Sequence, residues 1–212
     1  MYYLLSSSEK PRRRVGSSPF VKGISWWRGA VISTTVPQPL EFELNPYQPA
    51  SPDEDQHMAA IIYTNPPLWR DDFIKALQDC GVNNFDTYEV QINNPSNAST
   101  LADLRAQGIT YFDDSYLDQG GVITNYKAVN VLGLVAAADM SKSIATVHDG
   151  IPLIDVDFDE LVIDEKKTLG IKLFRLAESN NAILIHESVR DYLISKGFGN
   201  DVAFYDLKEA AI

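Results

Sequence analysis

From residue 59 to the end, short apolar runs alternate with turn-forming residues, and their periods predict the elements. Ala59–Tyr63 is a short apolar run that reads as a strand. Leu68–Cys80 places Trp69, Phe73, Leu77 and Cys80 at helical spacing. Gly81 follows, where a helix can close in a left-handed turn. Tyr88, Val90 and Ile92 then alternate with polar residues, as in a half-buried strand. Asn93–Ser99 is turn-rich, and a short helix is expected over Leu101–Gln107, ended by Gly108. Tyr126–Asp139 is apolar nearly all round, which predicts a central buried helix. Gly133 inside it costs about 1 kcal/mol relative to Ala, so close packing against a neighbour is expected there. Phe158–Ile163, Ile171–Leu176 and Ala182–Ile185 read as strands, with turns at Gly170 and Ser179–Asn181. Ser188 opens a helix with Asp191 as a weak capping box and Val189, Tyr192 and Leu193 on its apolar face. Gly197 ends it, and Val202–Leu207 is the last strand.

Residues 1–55 follow other rules. Pro37, Pro39, Pro46, Pro49 and Pro52 forbid long helices, leaving short strands and extended loops. Of the tandem Trp26 and Trp27, one is expected in the core and the other at its rim. Together these elements predict an α+β fold, a mixed or antiparallel sheet with packed helices. The whole chain reads as one domain with a Pro-rich part (1–55), a central part (56–150) and a C-terminal α/β part (151–212). Residues 71–90 and 187–207 share a pattern of amphipathic helix, Gly, Asn-containing turn and Tyr-bearing strand, once a single gap is allowed. Duplication and chance recurrence of a common unit both explain it.

Charge narrows the function classes. Lys and Arg number 18 and Asp and Glu 29, a net charge of −11. Residues 1–30 hold six of the basic residues and one acid, so the remainder carries 12 basic and 28 acidic residues, −16. Such a body repels phosphate backbones and attracts basic partners. The Lys10–Arg14 run is accordingly read as solvated or self-pairing rather than as a nucleic-acid contact. A single cysteine, no apolar run of membrane-spanning length and no signal-peptide pattern at the start lead to the expectation of a cytoplasmic protein without membrane contact.

Catalytic and cofactor motifs fail on inspection. No phosphate-binding Gly-Lys loop and no nucleophile elbow are present. Gly197 and Gly199 are followed by Val202 where a dinucleotide loop needs Gly. His57, His148 and His186 are scattered, and Arg190 replaces the second His of a zinc-helix motif that begins at His186. Cys80, on the apolar stripe of its helix, is expected to be buried and inert. Asp155, Asp157 and Asp159 alternate like the start of a calcium loop, but Glu160 and Lys166 occupy its Gly and Glu positions, so no metal is expected. On a strand the three aspartates share one face, either as solvated surface or as an acidic contact. Asp113, Asp114, Tyr116 and Asp118 form a second acidic group beside an aromatic. It is suited to capping a helix or to meeting Lys and Arg of a partner. Asp53–Asp55 is a third acidic group, expected to be solvated.

A family resemblance rests on Asn130-Val-Leu-Gly133, Phe158–Asp164, Leu173–Glu178, Ile183–Val189 and Phe204–Leu207, with Tyr2–Leu5 and the Leu77, Gly81, Val82, Tyr88–Val90 unit. In this order they resemble immunity protein family eleven of bacterial polymorphic toxin systems. The likeness is dense from about residue 126 onward and weakest over 36–52 and 93–125. It implies a non-enzymatic protein that binds a cognate toxin, by covering its active site or by trapping an inactive state. It implies no catalytic residues and no cofactor. A basic, nuclease-like toxin is the case the charge fits. Such core-type motifs identify a fold better than an activity. Phe174 and Leu176 are expected in the core, with Arg175 pointing the other way, toward an acid that the sequence does not identify. A carboxylate-using hydrolase and an adaptor or assembly module are the two other classes left open.

Overall fold

The computed structural model describes residues 1–8, 15–17, 21–48, 58–148, 156–209 and 212. The fold is α+β and dominated by sheet. In the second part of the chain, β4 (Ile61–Ile62) and β5 (Leu68–Arg70) form an antiparallel pair. β5 runs without a loop into α1 (Asp71–Asp79), and β6 (Phe85–Asn94) follows. After α2 (Ala98–Ala106) the chain returns along β6 as β7 (Gly121–Ile123) and β8 (Tyr126–Val131). With β2 (Val15–Ser17) and β3 (Leu40–Leu44) these make a seven-stranded sheet in the order β2-β3-β6-β8-β5-β4, with β7 beside β6.

The chain then crosses to a second sheet. β9 (Leu134–Val135) pairs in parallel with β12 (Leu173–Leu176). Between them in sequence lies a separate hairpin, β10 (Ile144–Val147) with β11 (Val156–Glu160). β13 (Ile183–His186) runs directly into α3 (Glu187–Ser195), and β14 (Val202–Asp206) follows. β1 (Tyr2–Ser7) completes this sheet, in the order β14-β1-β13-β12-β9.

The two sheets contain the same unit. In each, an antiparallel strand pair feeds a helix without a loop and a third strand follows. A strand antiparallel to both flanking strands is inserted between the second and the third: β8 in one sheet, β1 in the other. The registers agree: Tyr126 faces Arg70 as Tyr2 faces His186, and Ile61 faces Trp69 as Leu173 faces Ile185. Arg70 and His186 precede their helices with the same extended backbone, φ −71°, ψ 144° and φ −72°, ψ 145°. Gly81 and Gly197 follow the helices with φ +85° and +93°, a left-handed conformation that a side chain would strain. The inserted strands carry equivalent buried tyrosines whose hydroxyls donate to backbone carbonyls at equivalent places, Tyr2 to Ile171 and Tyr126 to Ala59, both at 2.8 Å. The shared sequence pattern of residues 71–90 and 187–207 therefore corresponds to a shared topology, in which Tyr88 and Tyr205 are equivalent.

Both helices bury their apolar faces in one core. Phe73, Ile74 and Leu77 of α1 and Val189 and Leu193 of α3 pack with Trp69, Val129, Val131, Leu5, Leu173 and Ile185 from the two sheets. Arg70 joins the units electrostatically, donating to Asp72 (2.7 Å) and to Asp201 of the other unit (3.0 Å). Burial opposes its charge, but the two carboxylates outweigh that effect and its pKa is raised. The far face of the first sheet is covered by a second cluster that includes Trp26, Leu40, Phe42, Leu44 and Ile92. The far face of the second sheet packs Tyr2, Phe174, Leu176 and Leu184 against Val156 and Phe158 of the hairpin.

Three sequence expectations are corrected. The region 126–139 is not a helix. It holds β8 and β9, and Gly133 (φ +101°) turns the chain from one sheet to the other. Alternate residues of β8 enter opposite clusters, Tyr126 and Ala128 one side, Val129 and Val131 the other. A strand buried on both faces is apolar all round, and periodicity alone does not separate it from a buried helix. α3 begins at Glu187 rather than at Ser188, capped by the His186 ring, which accepts from the Ser188 N–H. Cys80 is half-buried at the end of α1 rather than fully buried in its stripe; its thiol donates to the Leu77 carbonyl, and burial raises its pKa. Trp26 is buried and Trp27 half-buried, as expected.

The repeat equivalence makes a paired prediction. Tyr2→Phe and Tyr126→Phe each remove a buried hydroxyl's hydrogen bond to a backbone carbonyl, Tyr2→Phe also the contact with the Thr168 hydroxyl at 3.0 Å, and each should lower stability by about 1 kcal/mol or more in urea unfolding, with the two losses adding in the double variant. A loss at only one of the two sites would contradict the equivalent roles assigned to them.

Candidate functional site

The structure does not bring the predicted acidic groups together. Asp113, Asp114, Tyr116 and Asp118 lie beside α2 around a small satellite core of Leu101, Leu104 and Phe112. Asp157 and Asp159 lie on β11, over the far face of the other sheet. Asp155, Asp53–Asp55 and Lys10–Arg14 fall outside the described residues.

The first group is largely occupied with its own fold. Asp113 caps a 3-10 turn (Asp114–Tyr116), accepting from the Ser115 N–H at 2.8 Å and from the Ser115 hydroxyl. The hydroxyl bond is the main reason its pKa is lowered. Asp114 pairs with Arg105 at 2.7 Å, both well exposed, so the pair adds little to stability. Tyr116 stacks on Tyr47, ring centroids 6.3 Å apart and nearly parallel. Asp118 accepts from Asn94 and from the Gly120 N–H. Asn97 holds these pieces in register. It is fully buried, donates to the Tyr47 and Tyr116 carbonyls and accepts from the Asp118 N–H.

The second group keeps the alternation the sequence implies. Val156 and Phe158 are buried, while Asp157 and Asp159 point out. His148 Nε2 lies 2.7 Å from an Asp157 oxygen at the surface.

A third acidic face went unread in the sequence. β3 alternates with Leu40, Phe42 and Leu44 buried and Glu41 and Glu43 exposed. β3 pairs in parallel with β6, setting Glu41 opposite Gln91 and Glu43 opposite Asn93. These residues line a shallow depression of about 380 Å³. Glu89, further along the same face, accepts from Lys127 at 2.8 Å. The signal was the alternation Leu-Glu-Phe-Glu-Leu itself, hidden inside a Pro-rich stretch.

Arg175 also departs from expectation, because among the described residues no acid pairs with it. It is fully buried on β12 with Nη1 donating to the Asn180 carbonyl at 3.0 Å and its Cζ 5.3 Å from the Trp27 ring. Nε and Nη2 have no protein partner among the described residues. Burial lowers its pKa to about 10, opposed by Tyr63. Glu178 serves the opposite cluster, where it accepts from the Ala138 N–H at 3.2 Å. Among the described residues no helix is long and apolar enough to cross a membrane, and no group of three or more His, Cys, Asp or Glu could hold a metal ion.

Compared with known proteins, the chain matches no protein-family model, and no curated protein is significantly similar to it.

The satellite core makes its own prediction. Asn97→Ala should cost about 1–3 kcal/mol locally by leaving buried carbonyls unmet. Hydrogen exchange should then accelerate across residues 112–120 while β8 amides stay protected. Uniform acceleration across both would remove Asn97 from the role assigned to it.

Proposed function

We propose that this protein is a non-enzymatic immunity protein that binds and neutralises a cognate toxin, and that it meets a basic surface of that toxin through outward-facing carboxylates. The observation that carries the reading is the placement of Glu41, Glu43, Asp157 and Asp159. Each is exposed on a strand whose alternate residues are buried, and none of the ion pairs of the described residues engages Glu41, Glu43 or Asp159. Such carboxylates cost the fold nothing to keep in water and remain available to Lys and Arg of a partner. The net charge of −11 adds a long-range field of the same sign. The toxin itself enters through the family resemblance of the C-terminal strands. The protein acts by occluding the toxin's active site or by holding it inactive, in the cytoplasm of the producing cell.

Co-expression with the toxin encoded beside it tests the reading: growth should be rescued and a stable complex recovered, and failure of both would refute it. Steering is tested separately. The association rate should fall at least about 10-fold between low and high salt. Either Glu41→Lys with Glu43→Lys, or Asp157→Lys with Asp159→Lys, should abolish most of that salt dependence and so identify the docking face. A rate indifferent to salt and to both charge reversals would remove the electrostatic part of the proposal.

A further inference from the structure

Arg175 is a buried cation at a place where the other unit has none. In the repeated unit its position is equivalent to Tyr63, because Leu173 and Ile61 share a register place and each lies two residues earlier. A tyrosine there is compatible with the unit, and Tyr63 is 62% exposed. Arg175 instead holds a fully buried guanidinium whose protein contacts are one carbonyl and one aromatic face. A charge removed from water without a counter-ion is strongly unfavourable, and a protein keeps one where a partner of opposite charge compensates.

The geometry of the free donors defines that partner. Nη1 is used by Asn180, and the two unpartnered nitrogens are Nε and Nη2. These two share one edge of the guanidinium, and their N–H bonds run nearly parallel. That edge is the side-on fork that matches the two oxygens of a planar carboxylate. The surroundings suit a small anion with an apolar body. Trp27 covers the guanidinium face, and Tyr63 lies near enough to act on it electrostatically. The segment carrying Trp27 is seated on the sheet crossing, where the Gly133 N–H donates to the Gly29 carbonyl at 2.8 Å. A Cβ on Gly29 would come within 3.0 Å of the Leu134 backbone, so the two segments are in close contact. Nearby Val31 and Leu134 are exposed at 72% and 46%. The guanidinium stays protonated at neutral pH, since burial lowers its pKa only to about 10.

We propose that the Nε–Nη2 edge of Arg175, beneath Trp27 and Tyr63, is a binding site for a carboxylate group. The fork fixes the orientation of the ligand, with the Trp27 ring beside it. The site is independent of the acidic faces and does not rest on the toxin reading.

Nitrogen–proton NMR of the intact protein tests it directly. The Arg175 Nε–H resonance, assigned by its proximity to the Trp27 ring, should shift saturably on titration with formate or acetate at constant ionic strength, and not with chloride. The melting midpoint should rise by about 2–4 °C at saturation. Arg175→Met should abolish both effects, and Arg175→Lys, which keeps the charge but not the fork, should weaken binding at least about 10-fold. A glutamate capped at both backbone ends separates the sources: tighter binding than acetate assigns the site to a protein side chain, and exclusion assigns it to a free small acid. If the wild-type resonance does not move with any of the three carboxylates, or if the midpoint responds equally in Arg175→Met, the proposal is overturned.

Discussion

Phe73 and Leu77 of α1 and Val189 and Leu193 of α3 leave water together, in a core that neither unit closes alone. Each helix offers only a short apolar face, and a nine-residue helix is far below the length at which helices persist unaided in water. Their stability therefore comes from packing against each other's strands. That requirement explains the local features the two units share: strands that enter the helices without a loop, and glycines that leave them at once in a left-handed turn. A longer connection at either end would let the helix drift off the core. It also explains why Arg70 reaches across to Asp201, holding the units in register at the edge of that core.

The same core accounts for which parts of the fold were legible in the sequence. α1, α3 and β14 each bury one face, and in β6 the stretch Tyr88, Val90 and Ile92 points to one cluster, so their periods appear plainly and their pattern can be matched between residues 71–90 and 187–207. β8 lies between two clusters and its apolar residues run on without a period, so it resembled a helix. Gly133 was noticed as an oddity in that supposed helix. Its role is to turn the chain between sheets, which a local reading does not contain. β3 shows the opposite case. Its alternation is clear, but it lies among prolines that predict extended loops, so Glu41 and Glu43 are not among the site residues the sequence predicts.

Candidate site residues were legible in a similar, uneven way. The outward direction of Asp157 and Asp159 follows from strand geometry alone. The engagement of Asp118 by Asn94, 24 residues earlier, does not, because it depends on how β6 and its return strand pair. Asn97 carried no signal at all; a buried asparagine that satisfies three backbone groups looks like any turn residue until its neighbours are placed. Arg175 points the way the strand alternation predicts, but its partner does not follow from the sequence. Facing away from Phe174 and Leu176 places it on the core side of β12, where no acid among the described residues meets it.

The inserted strand of the second unit has a consequence in time. β1 pairs with β13 and β14, which lie about 180 to 200 residues further along the chain. At synthesis rates of roughly 5–20 residues per second, β1 waits about 10–40 seconds for its neighbours to emerge from the ribosome. In the other unit β8 follows, rather than precedes, both of the strands it lies between, β5 and β6. The strands of the first unit can therefore pair before β1 finds its place, and the core the two units share closes only once β13, α3 and β14 have been made. Two units alike in space are thus unlike in their history of assembly.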